Sequence, residues 1–367
     1  MNIVYLSASI IPSKNANSIH VMKMCQAFAK NGHNVTLFAR ESSENVDDVY
    51  SYYGVEKIFK IEKIVWPNIR GLGGWVYGKR IKRKIMNNNR PDLFYGRDIY
   101  SILEMTSMPN SQIYYEAHTP PANKIRKIME KRLFNSDKFK RLIVISEALK
   151  EEYLSIFPNL SNKILVAHDA ADSPSGFLNV KVENFNSNTF KVGYIGHLYP
   201  GKGMEVITKL AYLLPDIEFH IVGGKEKDIN YWRNKIKTKN LVFHGFIPHG
   251  LLNEYYNQFD IVLAPYQTTV TSSGGKGDIS KWMSPLKIFE YMAYGKAIIA
   301  SDLPVLKEVL IHNKNCILCP PKDIDAWVKA ILKLKEDKDL KFRIGKQARE
   351  IFLQKYTWEQ RGRNVLA

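Results

Sequence analysis

The stretch Trp282–Ala300, WMSPLKIFEYMAYGKAIIA, contains a helix start, a short amphipathic helix and an apolar strand in direct succession. Ser284 and Pro285 predict the start, because serine is a good N-cap and proline fits the first helical position. The next nine residues predict the helix, which Gly295 can end in the left-handed conformation. The apolar run that follows is typical of a buried strand, so the stretch predicts one unit of an α/β fold.

The start of this predicted helix also has the features of a phosphate site. A helix N-terminus offers free N–H groups and a partial positive charge. Lys287 adds a cation in the first turn, where a cation is otherwise unfavourable, and Glu290 lies three residues further on the same face. Such a pair suits a ligand with an anionic and a hydroxylated part, such as a sugar nucleotide. An ordinary surface Lys–Glu pair would explain the same residues.

Length and composition predict a two-domain globular protein. The chain has 367 residues, of which 45% are hydrophobic and 24% charged. Its apolar runs are shorter than the roughly 18 residues of a membrane span, and the N-terminal MNIVYLS resembles a strand more than a signal peptide. Cys25, Cys316 and Cys319 form an odd set, and we interpret the CxxC of CILCPP as packing rather than a metal or redox site. We therefore expect a reducing, cytoplasmic location.

The net charge of +17 favours a polyanionic partner, although a generally basic surface is the alternative. Residues 70–90 and 124–141 are basic, and in the first segment Tyr77, Ile81 and Ile85 form an apolar stripe. A basic helix with such a stripe suits an anionic membrane, whereas a stripe that packs on the core is the other explanation. Nucleic acid is not expected as the partner. The residues predicted to contact the membrane are Trp75, Lys79, Arg80, Lys82, Arg83 and Lys84.

The rest of the chain alternates strands and helices in two halves. A strand at 2–7, a helix at 18–31 and a strand at 34–39 form the unit of a parallel sheet. His118 stands at the end of a later strand, where open α/β sheets bind ligands. A polar, Asn-rich segment at 174–189 predicts the domain boundary, after which the pattern restarts.

A second candidate phosphate element follows the first strand of the second half. The loop GHLYPGKG begins at Gly196 and carries Lys202 near its end. Glycines let backbone N–H groups approach an anion, and the lysine can neutralise phosphate charge. This loop is not a Walker loop, and the first loop of the chain lacks the GxGxxG fingerprint of dinucleotide binding.

Several motifs, in this order, resemble the C-terminal half of glycosyltransferases of family 4: VGYIGHLYPGKGMEVI, FHIVGG, VFHGFIPH, DIVLAPY and SPLKIFEYMAYGK. The N-terminal half of that family is similar to NANSIHVMKMCQAFAKNGHNVTLFA, YYEAH, VISEAL and VAHDAAD. The resemblance implies the GT-B architecture, an α/β fold of two Rossmann-like domains facing across a cleft. It implies an acceptor-side domain at 1–178, a nucleotide-sugar domain at 188–355 and a last helix in 356–367 that returns to the first domain.

The same resemblance implies roles for individual residues. Glu290 would hydrogen-bond the ribose of the donor, and Lys202 would hold its diphosphate together with the backbone at Leu286 and Lys287. His118 would lie near the donor sugar, and catalytic roles are implied for His118, Lys202 and Glu290. The other residues implied at the nucleotide sugar are Asn17 in a closing loop, Gly196 and His197 in the glycine loop, and Phe246 and Ile247 beside the base.

Three positions depart from the family pattern. The family has a second acid eight residues before Glu290, where this chain has Trp282, and Asp278 is the candidate substitute. The arginine usual in the glycine loop is His197. Asn17 and the alanine before it stand where glycines are common.

The implied activity is transfer of a sugar from a nucleotide-diphosphate sugar, with a UDP-sugar favoured, and with retention of anomeric configuration. No metal and no other cofactor are expected. The expected acceptor is lipid-linked or a saccharide, in the assembly of a bacterial surface polysaccharide, lipopolysaccharide or glycan on the inner face of the membrane. A sugar-nucleotide epimerase of similar fold is one alternative. A non-catalytic nucleotide-sugar-binding scaffold is the other, because Trp282 removes a family acid.

Overall fold

The computed structural model describes residues 1–88, 91–174, 189–236, 238–271 and 277–367. The predicted boundary segment 174–189 therefore lies almost wholly outside the described residues, as does Arg90 of the first basic segment. The chain divides into two compact units. The first unit comprises Met1–His168 and Trp358–Ala367, and the second comprises Asp169–Thr357.

The first unit is built on one parallel sheet with the strand order β3-β2-β1-β4-β5-β6-β7. The strands are β1 (Asn2–Ile11), β2 (Asn34–Glu41), β3 (Lys60–Ile64), β4 (Leu93–Gly96), β5 (Gln112–Ala117), β6 (Phe139–Val144) and β7 (Ile164–Val166). The helices are α1 (Ala16–Lys30), α2 (Val49–Tyr53), α3 (Gly73–Asn88), α4 (Ile99–Met105), α5 (Lys124–Phe134), α6 (Glu147–Ile156) and the last helix of the chain, α13 (Trp358–Leu366).

The second unit repeats this plan with the order β10-β9-β8-β11-β12-β13. Its strands are β8 (Phe190–Ile195), β9 (Ile217–Val222), β10 (Leu241–Gly245), β11 (Ile261–Ala264), β12 (Ala297–Ser301) and β13 (Ile317–Cys319). Its helices are α7 (Met204–Leu213), α8 (Glu226–Lys235), α9 (Asn253–Gln258), α10 (Leu286–Ala293), α11 (Ile324–Glu336) and α12 (Lys338–Lys355). Both sheets have the strand order of a Rossmann-like domain, which confirms the predicted fold class.

The buried residues of the second unit lie on both faces of its sheet. Phe219 and Trp327 belong to the cluster on one face, and Phe289 and Ile298 belong to the cluster on the other. Central strands of a parallel sheet covered by helices on both sides must be apolar throughout, as the burial of all four residues of β11 shows.

The last helix packs within the first unit, as predicted. Gly362 of α13 sits so close to α1 that an added Cβ would lie 3.4 Å from the Cβ of Ala27. The side-chain amide of Asn31 donates to the carbonyl of Glu359 at 3.0 Å. Helix α13 therefore completes the cover of this sheet.

The stretch Trp282–Ala300 folds as predicted except at its helix start. Gly295 ends the helix with a φ of 59°, but the N-cap residue is Pro285. The prediction that Ser284 caps the helix is wrong, because its hydroxyl accepts the backbone N–H of Asp169 at 2.8 Å.

The first strand is longer than predicted. It continues to Ile11 because, after an irregularity, Ile10 and Ile11 pair with Arg40 and Glu41 of β2. The prediction that Cys316 and Cys319 are packing residues is confirmed, because both are buried. Asp323, the residue before α11, caps that helix by accepting the N–H of Ala326.

The apolar stripe of α3 is core and not a membrane-facing surface. Tyr77 and Ile81 are fully buried and Ile85 almost so, and the Tyr77 hydroxyl donates to the carbonyl of Ser7 at 2.7 Å. The membrane interpretation of this stripe is therefore wrong. The helix packs these side chains on the sheet and presents its lysines and arginines outward, as an amphipathic surface helix does.

Candidate active site

The candidate site of the second unit lies where the strand order reverses. Strands β8 and β11 are parallel neighbours. The strands after β8 are added on one side of this pair and those after β11 on the other, and ligands of open α/β sheets bind beyond the carboxyl ends of such strands. Gly196 directly follows β8 and has a φ of 146°, in the region that favours glycine. A Cβ added there would lie 2.8 Å from Lys287 Nζ. The backbone conformation favours glycine here, and the absence of a side chain leaves space that the end of Lys287 occupies.

Lys287 brings a buried ammonium group to this point. The residue is 8% exposed, and its Nζ lies 3.6 Å from the ring centroid of Tyr194 and 5.3 Å from that of Tyr266. Within the described residues, Nζ has no hydrogen-bond partner. Burial and then the charge of Lys202 lower the pKa of Lys287 well below its usual value, against an opposing effect of Glu290. An anion bound here would relieve the cost of this buried cation.

Lys202 supplies a second cation at the same aromatic ring. Its Nζ lies 5.2 Å from the centroid of Tyr266, so both lysines contact this one tyrosine. Burial lowers the pKa of Lys202 to about 8. Two lysines beside the first turn of α10 form a place suited to a group with several negative charges, such as a diphosphate.

Glu290 is held in place one turn further along α10. One carboxylate oxygen accepts from His249 Nε2 at 2.7 Å and the other from the Tyr256 hydroxyl at 2.6 Å. The ring of Tyr256 stacks on that of Tyr294, with centroids 4.3 Å apart. The carboxylate is therefore fixed before any ligand arrives, with capacity left to accept hydrogen bonds from hydroxyl groups.

The other predicted binding residues of this unit lie around the same end of the sheet. The ring of His197 stacks on Tyr199 with centroids 4.9 Å apart, and its carbonyl accepts the Tyr194 hydroxyl. Phe246 and Ile247 directly follow β10, and Leu286 is the first residue of α10.

The residues near the missing family acid have structural partners. One Asp278 oxygen accepts the backbone N–H groups of Val270 and Ser280, each at 2.9 Å. Trp282 lies in the turn before α10, where its backbone N–H donates to the carbonyl of Ile279. Asp278 thus organises the polar loop, and its use toward a sugar stays a prediction.

The predicted residues of the first unit, His118 and Asn17, lie after β5 and in the first turn of α1. Asn17 accepts a hydrogen bond from Arg97 Nη1 at 2.6 Å. Arg97 directly follows β4, the neighbour of β1 at the point where the order of this sheet reverses. His118 Nε2 lies 2.6 Å from Glu116 Oε1, and its side chain is 17% exposed.

Three residues of the first unit, His20, Glu116 and His118, each place one potential metal-ligand atom within 4.8 Å of the others. Arg361 Nη2 also lies 3.1 Å from Glu116 Oε1. A guanidinium on the same oxygen would repel a metal cation, so the cluster fits an ion-pair network better than a metal site.

The sequence did not reveal the residues that position His118 and Glu290. Glu116 had a usable signal, because residues two apart on a strand point to the same side and YEAH places it beside His118. His249 and Tyr256, which hold Glu290, had none, because their contacts join segments separated by 41 and 34 positions.

Family models match nearly the whole chain. The model of Glycosyltransferase Family 4 matches residues 18–172, and that of Glycosyl transferases group 1 matches residues 178–351. The chain belongs to the glycosyltransferases of family 4, as its motifs predicted, and it is a glycosyltransferase of the two-Rossmann type.

Two named relatives are glycosyltransferases, and a solved structure has the same fold. An uncharacterized glycosyltransferase of Haemophilus influenzae is 24% identical over 84% of this chain and 84% of its own length. The poly(ribitol-phosphate) alpha-N-acetylglucosaminyltransferase of Staphylococcus aureus is 26% identical over 61% of this chain and 43% of its own. The crystal structure of HepE from Anabaena in complex with UDP-glucose covers all of this chain and 98% of its own, with a TM-score of 0.71 and 15% identity. At that identity the likeness shows the fold alone.

Proposed function

We propose that this enzyme transfers a sugar from a UDP-sugar to a lipid-linked or saccharide acceptor in the assembly of a bacterial surface polysaccharide, lipopolysaccharide or glycan. The observation that carries the proposal is the buried ammonium of Lys287, which lies against Gly196 and shares Tyr266 with Lys202. A diphosphate would supply the negative charge that this arrangement lacks. The family matches favour this function over the epimerase and the scaffold.

In the proposed complex, Lys202, Lys287 and the start of α10 hold the diphosphate, and Glu290 accepts hydrogen bonds from the ribose. A uridine donor is supported by the UDP-glucose complex of the similar HepE structure. Phe246 and Ile247 would border the base, Gly196 and His197 the phosphates, and His118 and Asn17 of the first unit the donor sugar and its diphosphate.

The proposed reaction retains the anomeric configuration and uses no nucleophile of the protein. The acceptor hydroxyl attacks on the face that the diphosphate leaves, and the diphosphate takes its proton. The protein would contribute positioning and stabilisation of the charge that develops on the leaving oxygens. With two lysines in that role, we propose that no metal is needed.

The first test is a thermal-shift panel with UDP, GDP, ADP, CMP and dTDP. A ligand at about 100 times its Kd stabilises the folded protein by about 2.7 kcal/mol, which raises the Tm by a few degrees. We expect such a shift with UDP and a clearly smaller one in Glu290→Gln, because the amide loses the charged acceptor for the ribose. Glu336→Gln, an exposed position on α11, is the matched control and should behave as wild type.

The panel and a turnover assay separate the three functions. Release of nucleotide that depends on added acceptor supports the transferase. Interconversion of the sugar without release would support the epimerase, and binding with neither reaction would support the scaffold. If none of the five nucleotides shifts the Tm, the proposed phosphate site is wrong.

We propose that the enzyme works as a peripheral protein at the cytoplasmic face of an anionic membrane. In the described part of the chain, no helix is long and apolar enough to cross a bilayer. The basic face of α3 borders exposed apolar side chains of Val65, Leu72 and Met86. A shallow groove of about 420 Å³ there is lined by Lys63, Ile64, Val65, Arg80, Arg83, Lys84 and Asn87. Exposed cations beside exposed apolar side chains favour binding to acidic lipid headgroups.

Reversing the charge of this face should abolish flotation with anionic vesicles. The variant changes Lys79, Arg80, Lys82, Arg83 and Lys84 to glutamate. Each lysine or arginine near an acidic surface contributes about 1 kcal/mol, so binding to phosphatidylglycerol–phosphatidylcholine vesicles at low salt should disappear. Trp75→Ala should weaken it less, because that ring packs edge-on against Tyr100.

The matched control carries the same number of reversals on the second unit, at Lys322, Lys329, Lys333, Lys338 and Arg343. It should still float if α3 is the contact surface. Equal loss in both variants would mean that net charge alone matters, and absence of flotation by the wild type would contradict the membrane proposal.

A further inference from the structure

The carboxylate of Glu116 is the centre of a buried network directly behind His118. It is 1% exposed, and its Oε1 lies 2.6 Å from His118 Nε2, 3.1 Å from His20 Nε2 and 3.1 Å from Arg361 Nη2. Its other oxygen accepts the hydroxyl of Tyr95. Burial alone would raise the pKa of Glu116, but Arg361 and then His20 hold it well below its usual value.

An ionised carboxylate can only accept hydrogen bonds, so the hydrogen between Glu116 and His118 must be on His118 Nε2. In the neutral ring, Nδ1 is then the acceptor. The network therefore determines which nitrogen of His118 can accept a hydrogen bond from a ligand hydroxyl, and it fixes the plane of the ring.

Arg361 comes to this network from α13, at the other end of the sequence. Its Nε donates to the carbonyl of His168 at 2.9 Å and its Nη2 to that of Ala167 at 3.2 Å. Trp358 of the same helix packs edge-on against the ring of His20, with centroids 5.2 Å apart. The helix thus places a fixed cation where Glu116 needs one to stay ionised in the core.

We propose that Glu116 and Arg361 are positioning residues, which hold His118 as the Nε2–H tautomer with Nδ1 as the acceptor for a hydroxyl of the donor sugar. The inference rests on the proposed function for the identity of that hydroxyl, but the tautomer itself does not. The inference gives α13, through Arg361, a part in the reaction in addition to its packing in the first unit.

The test compares Glu116→Gln with wild type in two measurements. In protein with ¹⁵N-labelled histidine, the ring nitrogens of His118, assigned by their loss in His118→Ala, should show Nε2–H in wild type and a change in Glu116→Gln. With UDP-glucose and UDP-N-acetylglucosamine as donors, kcat for UDP release should fall about 10–100-fold, the range for removing the carboxylate behind a functional histidine at metal sites. KM for the donor should change little.

Two comparisons distinguish positioning from general damage. In a double-mutant cycle, Glu116→Gln should cost much less in kcat when His118 is already alanine. Glu130→Gln is the matched control, since Glu130 is also 1% exposed and paired with an arginine, Arg126, in the same unit. It should leave the His118 nitrogens and kcat unchanged.

Each outcome either supports the inference or overturns it. An unchanged tautomer, a wild-type kcat in Glu116→Gln or additive losses in the cycle would overturn the inference. If His118→Ala alone leaves UDP release unchanged, the proposed role of His118 fails, and the tautomer measurement still judges the network. If Glu116→Gln does not fold, Arg361→Lys takes its place, because it keeps the charge but not the planar fork, and the same changes are expected.

Discussion

Replacing Lys202 with alanine should lower kcat for UDP release about 10²–10³-fold at neutral pH. The magnitude is that of deleting one donor to a developing oxyanion. The ammonium of Lys202 is partly buried beside Tyr266, so its charge acts in surroundings that screen it less than water would. The loss should appear in kcat more than in KM, because charge accumulates on the diphosphate as the sugar bond breaks.

Lys209→Ala is the control for this variant. Lys209 lies on the exposed side of α7, which begins just after Lys202, and its removal should leave kcat as in wild type. An unchanged kcat in Lys202→Ala, with the protein folded, would show that this lysine does not hold the leaving group.

The same variant tests the depressed pKa of Lys202. Since burial lowers that pKa to about 8, the free enzyme loses this charge as the pH rises through 8. A bound diphosphate favours the charged form and raises the pKa, so UDP should bind more weakly at pH 9 than at pH 7, with proton uptake above pH 8. Isothermal titration should find less of both effects in Lys202→Ala. A wild-type affinity that is constant over this range would contradict the mechanism.

Local patterns predicted those elements of the fold that have a clear period or a stop signal. The first strand of the second half, β8, and the helix after Pro285 were both predicted from such signals. The same patterns could not say that Ser284 would bond to Asp169, 115 positions away, instead of capping its own helix. Choices of this kind depend on which distant backbone groups the fold brings near.

The candidate site likewise contains some features that the sequence predicts and others that it does not. The glycine loop, its lysine and the helix start could be predicted from the sequence because each is a local feature that favours phosphate binding. The burial of Lys287 was not visible in the sequence, since it depends on Tyr194 of β8 and on Tyr266, which follows β11. The pairing of Glu116 with Arg361 across 245 positions could not be predicted from any local pattern.

Replacing Lys287 with methionine should stabilise the ligand-free protein and remove its response to UDP. Methionine fills a similar volume without the ammonium, whose Nζ has no hydrogen-bond partner in the described parts of the chain. Removing an unsatisfied polar group from the interior should raise the free energy of unfolding by about 1–3 kcal/mol at pH 7. The Tm shift with UDP should vanish, because the diphosphate loses the cation beside Gly196.

The direction of this change in the free energy of unfolding follows from the lowered pKa of Lys287 in the folded state. Below the pKa of an unfolded lysine, about 10.4, the unfolded chain binds a proton more readily than the folded one, which destabilises the wild type. The advantage of Lys287→Met should therefore shrink as the pH approaches and passes 10. Lys329→Met, an exposed position on α11, should change neither the Tm nor the UDP shift. A Lys287→Met protein that is less stable than wild type, or that still responds to UDP, would show that Lys287 is a structural residue and not part of an anion site.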